Sequence, residues 1–377
     1  MIKSSTLVAI AAGGTGGHIF PAECLAKELA DRGHRLSWIT DERGAKQSSF
    51  LTGIDTHIIS ARGLRGSGAL RRLTGALSLG VGVFQARRIL KSMRPHAVVG
   101  FGGYAAAPTM MAATNLKLAT VIHEQNAVIG RANRVIARRV HRVCTTFSTT
   151  RLIPSDISHV QTGLPVREAF TAVRELPYAA PELDGEIRIF VLGGSQGAAI
   201  FSHLVPAALK RLPEDLRERI VVNQQCRREM VDQTRLAFAD CNIKATLKPF
   251  FDNIPELIER THLVISRAGA STVCEIAMAG RPALLVPYPH AADDHQTDNA
   301  KAIQGMGGAW CELQHDLTPT ILAERLKTIL TSPNTLVATA RKAKAISIPD
   351  SAIRLADIVE DLNHSESSYS VTTRGAA

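Results

Sequence analysis

Apolar residues along this chain fall into short unbroken runs separated by longer stretches of helical periodicity. Leu7–Ala12 is such a run and reads as a buried strand, followed by a helix over Pro21–Arg32 with its proline near the start. Arg35–Thr40 is a second strand and Ala69–Met93 a long helix. His96–Phe101 and Ala119–His123 are further strands, each followed by a loop and a helix. Strand, loop and helix in repetition predict a parallel, doubly wound sheet. The pattern breaks over 152–186, where Pro154, Pro165, Pro177 and Pro181 interrupt it, and this segment reads as a linker with its flanks. It resumes with Ile187–Leu192, Arg219–Asn223, Lys244–Pro249, His262–Ser266 and Ala283–Val286. The predicted fold class is α/β, with two similar Rossmann-like, doubly wound parallel-sheet domains facing a cleft. The small, polar residues 364–377 are expected to form a disordered tail.

Composition agrees. At 377 residues the chain is too long for one ordinary core, which favours two domains. Aromatic residues make up only 5%, so the core must come from Val, Ile, Leu and Ala, as buried parallel strands require. No stretch approaches the roughly 20 apolar residues of a membrane span. Leu7–Ala12 is too short for a signal-peptide core, so no targeting segment is expected. Six scattered cysteines without a CxxC read as reduced thiols in a cytoplasmic protein. The net charge of +10 is concentrated in the first half. No acidic residue stands between Asp55 and Glu124, and the next acid-free stretch holds Arg131, Arg134, Arg138, Arg139, Arg142 and Arg151. Such a half suits an anionic partner: nucleic acid, lipid headgroups or a phosphorylated substrate.

The candidate chemistry lies at the ends of the predicted strands, where α/β sheets bind ligands. Gly13-Gly14-Thr15-Gly16-Gly17-His18 joins a strand to a helix N-terminus, a place for oxyanions. It lacks the Gly-Lys-Ser/Thr of a Walker A loop and the GxGxxG spacing of a dinucleotide fingerprint. His18 reads either as a general base or as a structural histidine. Gly193-Gly194-Ser195-Gln196-Gly197-Ala198 repeats the design in the second half, with Ser195 and nearby N–H groups placed for a pyrophosphate. Glu275 in Ser266–Glu275 reads as a ribose ligand or as an ordinary first-turn glutamate. His290, Asp293, Asp294 and His295 match no zinc or calcium pattern, and no metal site is expected, while Gln296 and Asn299 suit sugar hydroxyls. His123-Glu124-Gln125-Asn126 closes a strand and should point into the cleft.

These motifs, with Gly102-Gly103-Tyr104 and Thr162-Gly163-Leu164-Pro165-Val166-Arg167, occur in an order that resembles the MurG family of bacterial N-acetylglucosamine transferases. The likeness covers the chain to about Asn363. It implies a GT-B fold and an inverting transfer from UDP-GlcNAc to lipid I, making lipid II for peptidoglycan synthesis, without a metal or other cofactor. It implies an acceptor- and membrane-binding domain over 1–165 and a UDP-GlcNAc domain over 166–349, with a last helix over 350–362 crossing back to the first. Thr15, Gly16, Gly17, Asn126, Arg167, Ser195, Phe251, Ala270, Ser271, Thr272, Glu275 and Gln296 would bind the donor. Phe251 would lie near the uracil and Glu275 at the ribose. Gly14, His18, Tyr104, Glu124 and Asn126 would bind the acceptor, with His18 the catalytic base. Leu164 stands where the family commonly has Asn, and His295 where some members have Gln. Expected partners include cell-wall synthesis and division proteins, at the cytoplasmic face of the inner membrane.

On the helix Ala69–Met93, Leu70, Leu73, Leu77, Val81 and Phe84 form a stripe expected to face the core. Leu79 and Val83 lie on another face, flanked by Arg71, Arg72, Arg87 and Arg88. This reads as an interfacial helix on an anionic membrane surface or as a helix buried on two sides, and a lipid-linked acceptor selects the membrane. Two other functions compete: a different nucleotide-sugar enzyme, such as a diacylglycerol glycosyltransferase or an epimerase, and a basic nucleic-acid-binding protein. Little aromatic interleaving among the arginines argues against nucleic acid as a partner.

Overall fold

The computed structural model describes residues 5–14, 16–47, 53–61, 69–194 and 197–369, and the side chains of 47, 69–76, 104 and 363–369 fall outside the description. The chain divides into two compact units, one of Met1–Val166 with Ile348–Ala377 and one of Arg167–Ser347.

Among the described residues the first unit carries seven parallel strands: β1 (Leu7–Ala11), β2 (Arg35–Thr40), β3 (Asp55–Ile58), β4 (Ala97–Gly100), β5 (Ala119–Glu124), β6 (Arg142–Thr145) and β7 (His159–Gln161). Their order is β3-β2-β1-β4-β5-β6-β7. Alternate residues of β1 serve opposite cores. Val8 and Ile10 pack among Ile19, Leu25 and Leu29, whereas Ala9 packs among Ile39, Val98 and Met110. Burial on both faces is why the central strands read as unbroken apolar runs. The second unit adds β8 (Ile187–Leu192), β9 (Ile220–Gln225), β10 (Lys244–Lys248), β11 (Leu263–Ser266), β12 (Ala283–Leu285) and β13 (Trp310–Cys311). These form a second parallel sheet, ordered β10-β9-β8-β11-β12-β13.

Residues 152–186 are more than a linker. β7 completes the first sheet and the helix Glu168–Glu175 opens the second unit. All three residues of β7 are exposed, so no buried alternation marks this edge strand in the sequence. The helix Ser351–Tyr369 includes 364–369, read above as disordered tail, and residues 370–377 lie outside the described ones. A helix nucleated on buried Leu355, Val359 and Leu362 extends at little cost through Ser and Glu.

The helix Ala69–Met93 presents the opposite face from the one expected. Leu77, Val81 and Phe84 are 62%, 49% and 69% exposed, while Ala86 and Leu90 are buried and Val83 packs beside them. Leu79 is half-buried, Arg87 and Arg88 are exposed, and the side chains of Leu70, Arg71, Arg72 and Leu73 lie outside the described residues. The cause is steric. A side chain on Gly82 would come within 2.3 Å of the Ser60 carbonyl and 3.3 Å of Pro108. The helix therefore docks through its small residues, and the larger apolar side chains are left outside.

Arg32 anchors the helix Ser351–Tyr369, donating to Asp357 Oδ1 at 2.7 Å and to Glu360 Oε2 at 3.0 Å. His34 bridges the same carboxylate. Its Nδ1 accepts from the Thr6 N–H, so Nε2 carries the proton given to Glu360 Oε1 at 2.9 Å. Glu360→Ala leaves the Nε2–H of buried His34 unmatched and takes from Arg32 one carboxylate partner, with Glu28 and Asp357 remaining. It should lower the stability of the first unit by about 3 kcal/mol. Urea unfolding followed through Trp38 in a Trp310→Phe background measures this, and an unchanged midpoint refutes the anchor.

Candidate functional site

In the first unit the site residues collect at the carboxyl ends of β1, β4 and β5. The helix after β1 begins at Gly16, so Gly16, Gly17 and His18 form its first turn, with N–H groups that no turn before them can satisfy. Thr15 lies outside the described residues. Gly14 adopts φ +86° and its N–H donates to Asp41 Oδ1 at 3.2 Å, while Gly44 N–H donates to the same oxygen at 2.8 Å. Asp41 thus holds the glycine loop from beyond the end of β2. Gly103, at φ +76°, lies so close to the first loop that a Cβ there would meet the Gly13 carbonyl at 2.3 Å. A Cβ on Gly102 would lie 3.3 Å from the His18 ring. Tyr104 follows in the helix Gly103–Asn115, with its side chain outside the description.

The β5 end is a polar knot. Glu124 is buried, and its two oxygens are occupied. Oε1 accepts from the N–H of Asn126 at 3.0 Å and from its side-chain amide, and Oε2 accepts from Gly130 N–H at 2.9 Å and Asn133 Nδ2 at 2.8 Å. The expectation of direct acceptor binding by Glu124 gives way to a loop-shaping role, because its acceptor capacity is already spent. Gln125, absent from the residues expected to work, joins His18 Nδ1 to the Phe101 carbonyl. Phe101 stacks on His123 at 5.4 Å, and His123 Nε2 donates to the Gly163 carbonyl at 2.8 Å. Burial lowers the His123 pKa to about 4, with the Gly163 bond opposing the shift.

In the second unit Arg167 and Glu275 come together across 108 positions of sequence. Arg167 Nε and Nη2 donate to Glu275 Oε1 at 3.1 and 2.9 Å. Burial raises the Glu275 pKa and Arg167 opposes it. Both bonds fall on one oxygen, so the other carboxylate oxygen takes no part in the pair. Ala270, Ser271 and Thr272 form the first turn of the helix Ala270–Met278, capped by Gly269 without a side-chain bond. Gln296 Oε1 accepts from Ala268 N–H at 3.2 Å and Tyr288 N–H at 2.9 Å, tying together the loops after β11 and β12. Its oxygen is thus committed, and only its amide nitrogen suits a further ligand. Arg267, not singled out from sequence, donates to the carbonyls of Val286 and Pro287 and to Gln314.

Ser195 lies outside the described residues. Its loop turns at Gly194 (φ +78°) and Gly197 (φ +66°), and a Cβ on Gly193 would meet the Ala198 nitrogen at 2.2 Å. The Phe251 ring departs from its expected place. It is buried edge-on against Phe190 at 5.6 Å, and Phe250 is the exposed neighbour. Packing takes the ring, so only the backbone of Phe251 remains for a base. Among the described residues no three His, Cys, Asp or Glu side chains converge, and no helix is long and apolar enough to cross a membrane.

Residues 8–145 match the glycosyltransferase family 28 N-terminal domain and residues 188–355 its C-terminal domain. The UDP-N-acetylglucosamine–N-acetylmuramyl-(pentapeptide) pyrophosphoryl-undecaprenol N-acetylglucosamine transferase of Paramagnetospirillum magneticum is 51% identical over 369 residues, spanning 97% of this chain and 100% of that one. The enzyme of the same name from Caulobacter vibrioides is 41% identical over 94% of this chain and 99% of its own. The crystal structure of Acinetobacter baumannii MurG superposes with a TM-score of 0.77 at 32% identity, covering 95% of this chain and 100% of that one. A UDP-GlcNAc 2-epimerase from Neisseria meningitidis, at 12% identity, covers 95% of this chain and 100% of its own with a TM-score of 0.66, and shares the fold alone.

The His123 ring makes the first unit acid-sensitive. Its pKa is near 4 when folded and near 6.5 as an unperturbed group. Between these values the unfolded chain binds a proton that the folded one refuses. Stability is therefore full above about pH 6.5 and falls by roughly 3 kcal/mol as the pH drops to about 4. His123→Asn keeps a donor for Gly163 and removes the titration. Urea titrations across this range should show the slope in the wild type and its loss in the variant.

Proposed function

The chain belongs to glycosyltransferase family 28, with its GT-B fold, and from that premise we propose that it transfers N-acetylglucosamine from UDP-GlcNAc to undecaprenyl-pyrophosphoryl-MurNAc-pentapeptide. The observation that carries this reading is the end-to-end match to transferases of that name, since every proposed site residue lies inside the aligned length.

The second unit takes the donor. Glu275 accepts from the ribose hydroxyls through the oxygen that Arg167 leaves available, which a carboxylate does well. Ala270, Ser271 and Thr272 offer first-turn N–H groups, and the Gly193–Ala198 loop with Ser195 does the same at the helix Ala199–Leu209. Gln296 presents its amide nitrogen to the sugar, and the Phe251 backbone meets the uracil. Oriented N–H groups and Arg167 offset the charge that grows on the diphosphate as UDP departs. Thr15, Gly16, Gly17 and Asn126 are the residues proposed for the donor in the first unit. Gly14, His18, Tyr104 and Asn126 receive the acceptor, with His18 as the base and Glu124 shaping the loop.

Transfer of label from UDP-GlcNAc to a lipid I analogue tests the assignment, and an epimerised sugar nucleotide in place of glycosylated lipid sinks it. Within that assay Glu275→Gln should raise KM for UDP-GlcNAc about ten- to a hundredfold, the worth of hydrogen bonds to a charged group, with kcat little changed.

The acceptor's lipid tail places the enzyme on the cytoplasmic face of the inner membrane. The exposed row Leu77, Val81 and Phe84 dips into the interface, and Arg87, Arg88 and Lys91 on the same helix meet anionic headgroups. This replaces the expected face of Leu79 and Val83. Flotation with vesicles containing anionic lipid should recover the wild type, and Leu77→Ser with Phe84→Ser should lose most of the binding. Equal recovery of both, or binding without anionic lipid, overturns this surface.

A further inference from the structure

His18 sits in the first turn of the helix Gly16–Asp31, with Nδ1 in hydrogen-bond reach of Gln125 Oε1. Either nitrogen of a neutral imidazole can carry the proton, so the partner decides. Gln125 is itself constrained, because its Nε2 donates to the Phe101 carbonyl. That carbonyl only accepts. Turning the amide over would set two acceptor oxygens against each other. The amide oxygen therefore faces His18, and an amide oxygen also only accepts. Nδ1 must hold the proton, and Nε2 holds the lone pair.

We propose that Gln125 is a positioning residue that locks His18 in the Nδ1–H tautomer and so makes Nε2 the basic nitrogen. The proposal rests on the reading of His18 as the base. In that step the acceptor oxygen bonds to the anomeric carbon and its proton passes to Nε2. The bond from that carbon to the diphosphate breaks, and its electron pair leaves on UDP. The relay is held firmly. Gln125 is buried, Phe101 is stacked on His123, and the Gly102 backbone stands against the edge of the His18 ring. A neutral amide sets the tautomer without adding charge beside the ring. The carbonyl that orients Gln125 comes from the residue after β4, so the end of one strand dictates the protonation of a side chain mounted after another.

Nitrogen-15-labelled histidine reads the tautomer directly by NMR, without reference to activity. Wild-type His18 at a pH where the ring is neutral should show a protonated Nδ1 and a bare Nε2. Gln125→Met has nearly the same shape and no acceptor at that place, and should let the ring revert to Nε2–H. Its kcat should fall about a hundredfold or more, as loss of a general base does, with KM for UDP-GlcNAc within twofold. Gln125→Glu, protonated on the oxygen that faces the Phe101 carbonyl, keeps both the donor to that carbonyl and the acceptor to His18, and should restore the Nδ1–H signal. A wild-type ring protonated on Nε2 overturns the proposal, whether or not the variants fold. So does full kcat in Gln125→Met. Near-full turnover in His18→Ala removes the base reading, and the catalytic half of the proposal with it, while the spectra still decide the tautomer.

Discussion

Backbone meeting backbone at strand ends is the constraint from which the candidate site follows. The turn after β4 presses on the loop after β1 so closely that one added carbon at Gly103 would collide with the Gly13 carbonyl. That approach sets the start of the following helix, and the start of the helix sets His18. In the second unit the close approach is within one loop, with Gly193 against the Ala198 nitrogen. Such contacts have almost no play, because interiors pack at the density of organic crystals. They hold N–H groups where a ligand can use them, in backbone conformations that a side chain would strain.

Polar side chains then fix what the backbone leaves adjustable. Asp41 grips two loop nitrogens, Glu124 four donors, and Gln296 two loops. Asp41 and Glu124 are buried acceptors and Gln296 a half-buried one, each satisfied locally, and the cost of leaving such a group unmatched keeps the loops in one arrangement. Arg167 and Glu275 differ. Both bonds of their pair fall on one carboxylate oxygen, so the same contact orients the other oxygen, the one proposed to meet the ribose.

Much of this was legible in the sequence, for identifiable reasons. The central strands are buried on both faces, so they appear as apolar runs, and glycine pairs directly after them mark sites of close approach. The failures share a different cause. β7 is exposed and carries no pattern. The helix Ala69–Met93 docks by Gly82 and Ala86, which a rule assigning large apolar residues to the core cannot see. Phe250 and Phe251 are identical in chemistry, and only the position of Phe190 decides which is buried. Glu124 and Gln125 adjoin in one motif, yet their roles depend on Gly130, Asn133 and Phe101, which no local spacing reveals.

The helix Ser351–Tyr369 has a consequence for biosynthesis. It covers an apolar face of the first unit made by Ile19, Leu25 and Leu29, but it is translated after the entire second unit. At 5–20 residues per second, the interval between Val166 and Leu362 leaving the ribosome's catalytic centre is roughly 10 to 40 s. For that time the part of this face beside β4 and β5 stands uncovered, while Arg167–Ser347 is a continuous segment able to finish its own core. The molecule is thus completed in the reverse of its written order: the half that begins the chain is the last to close.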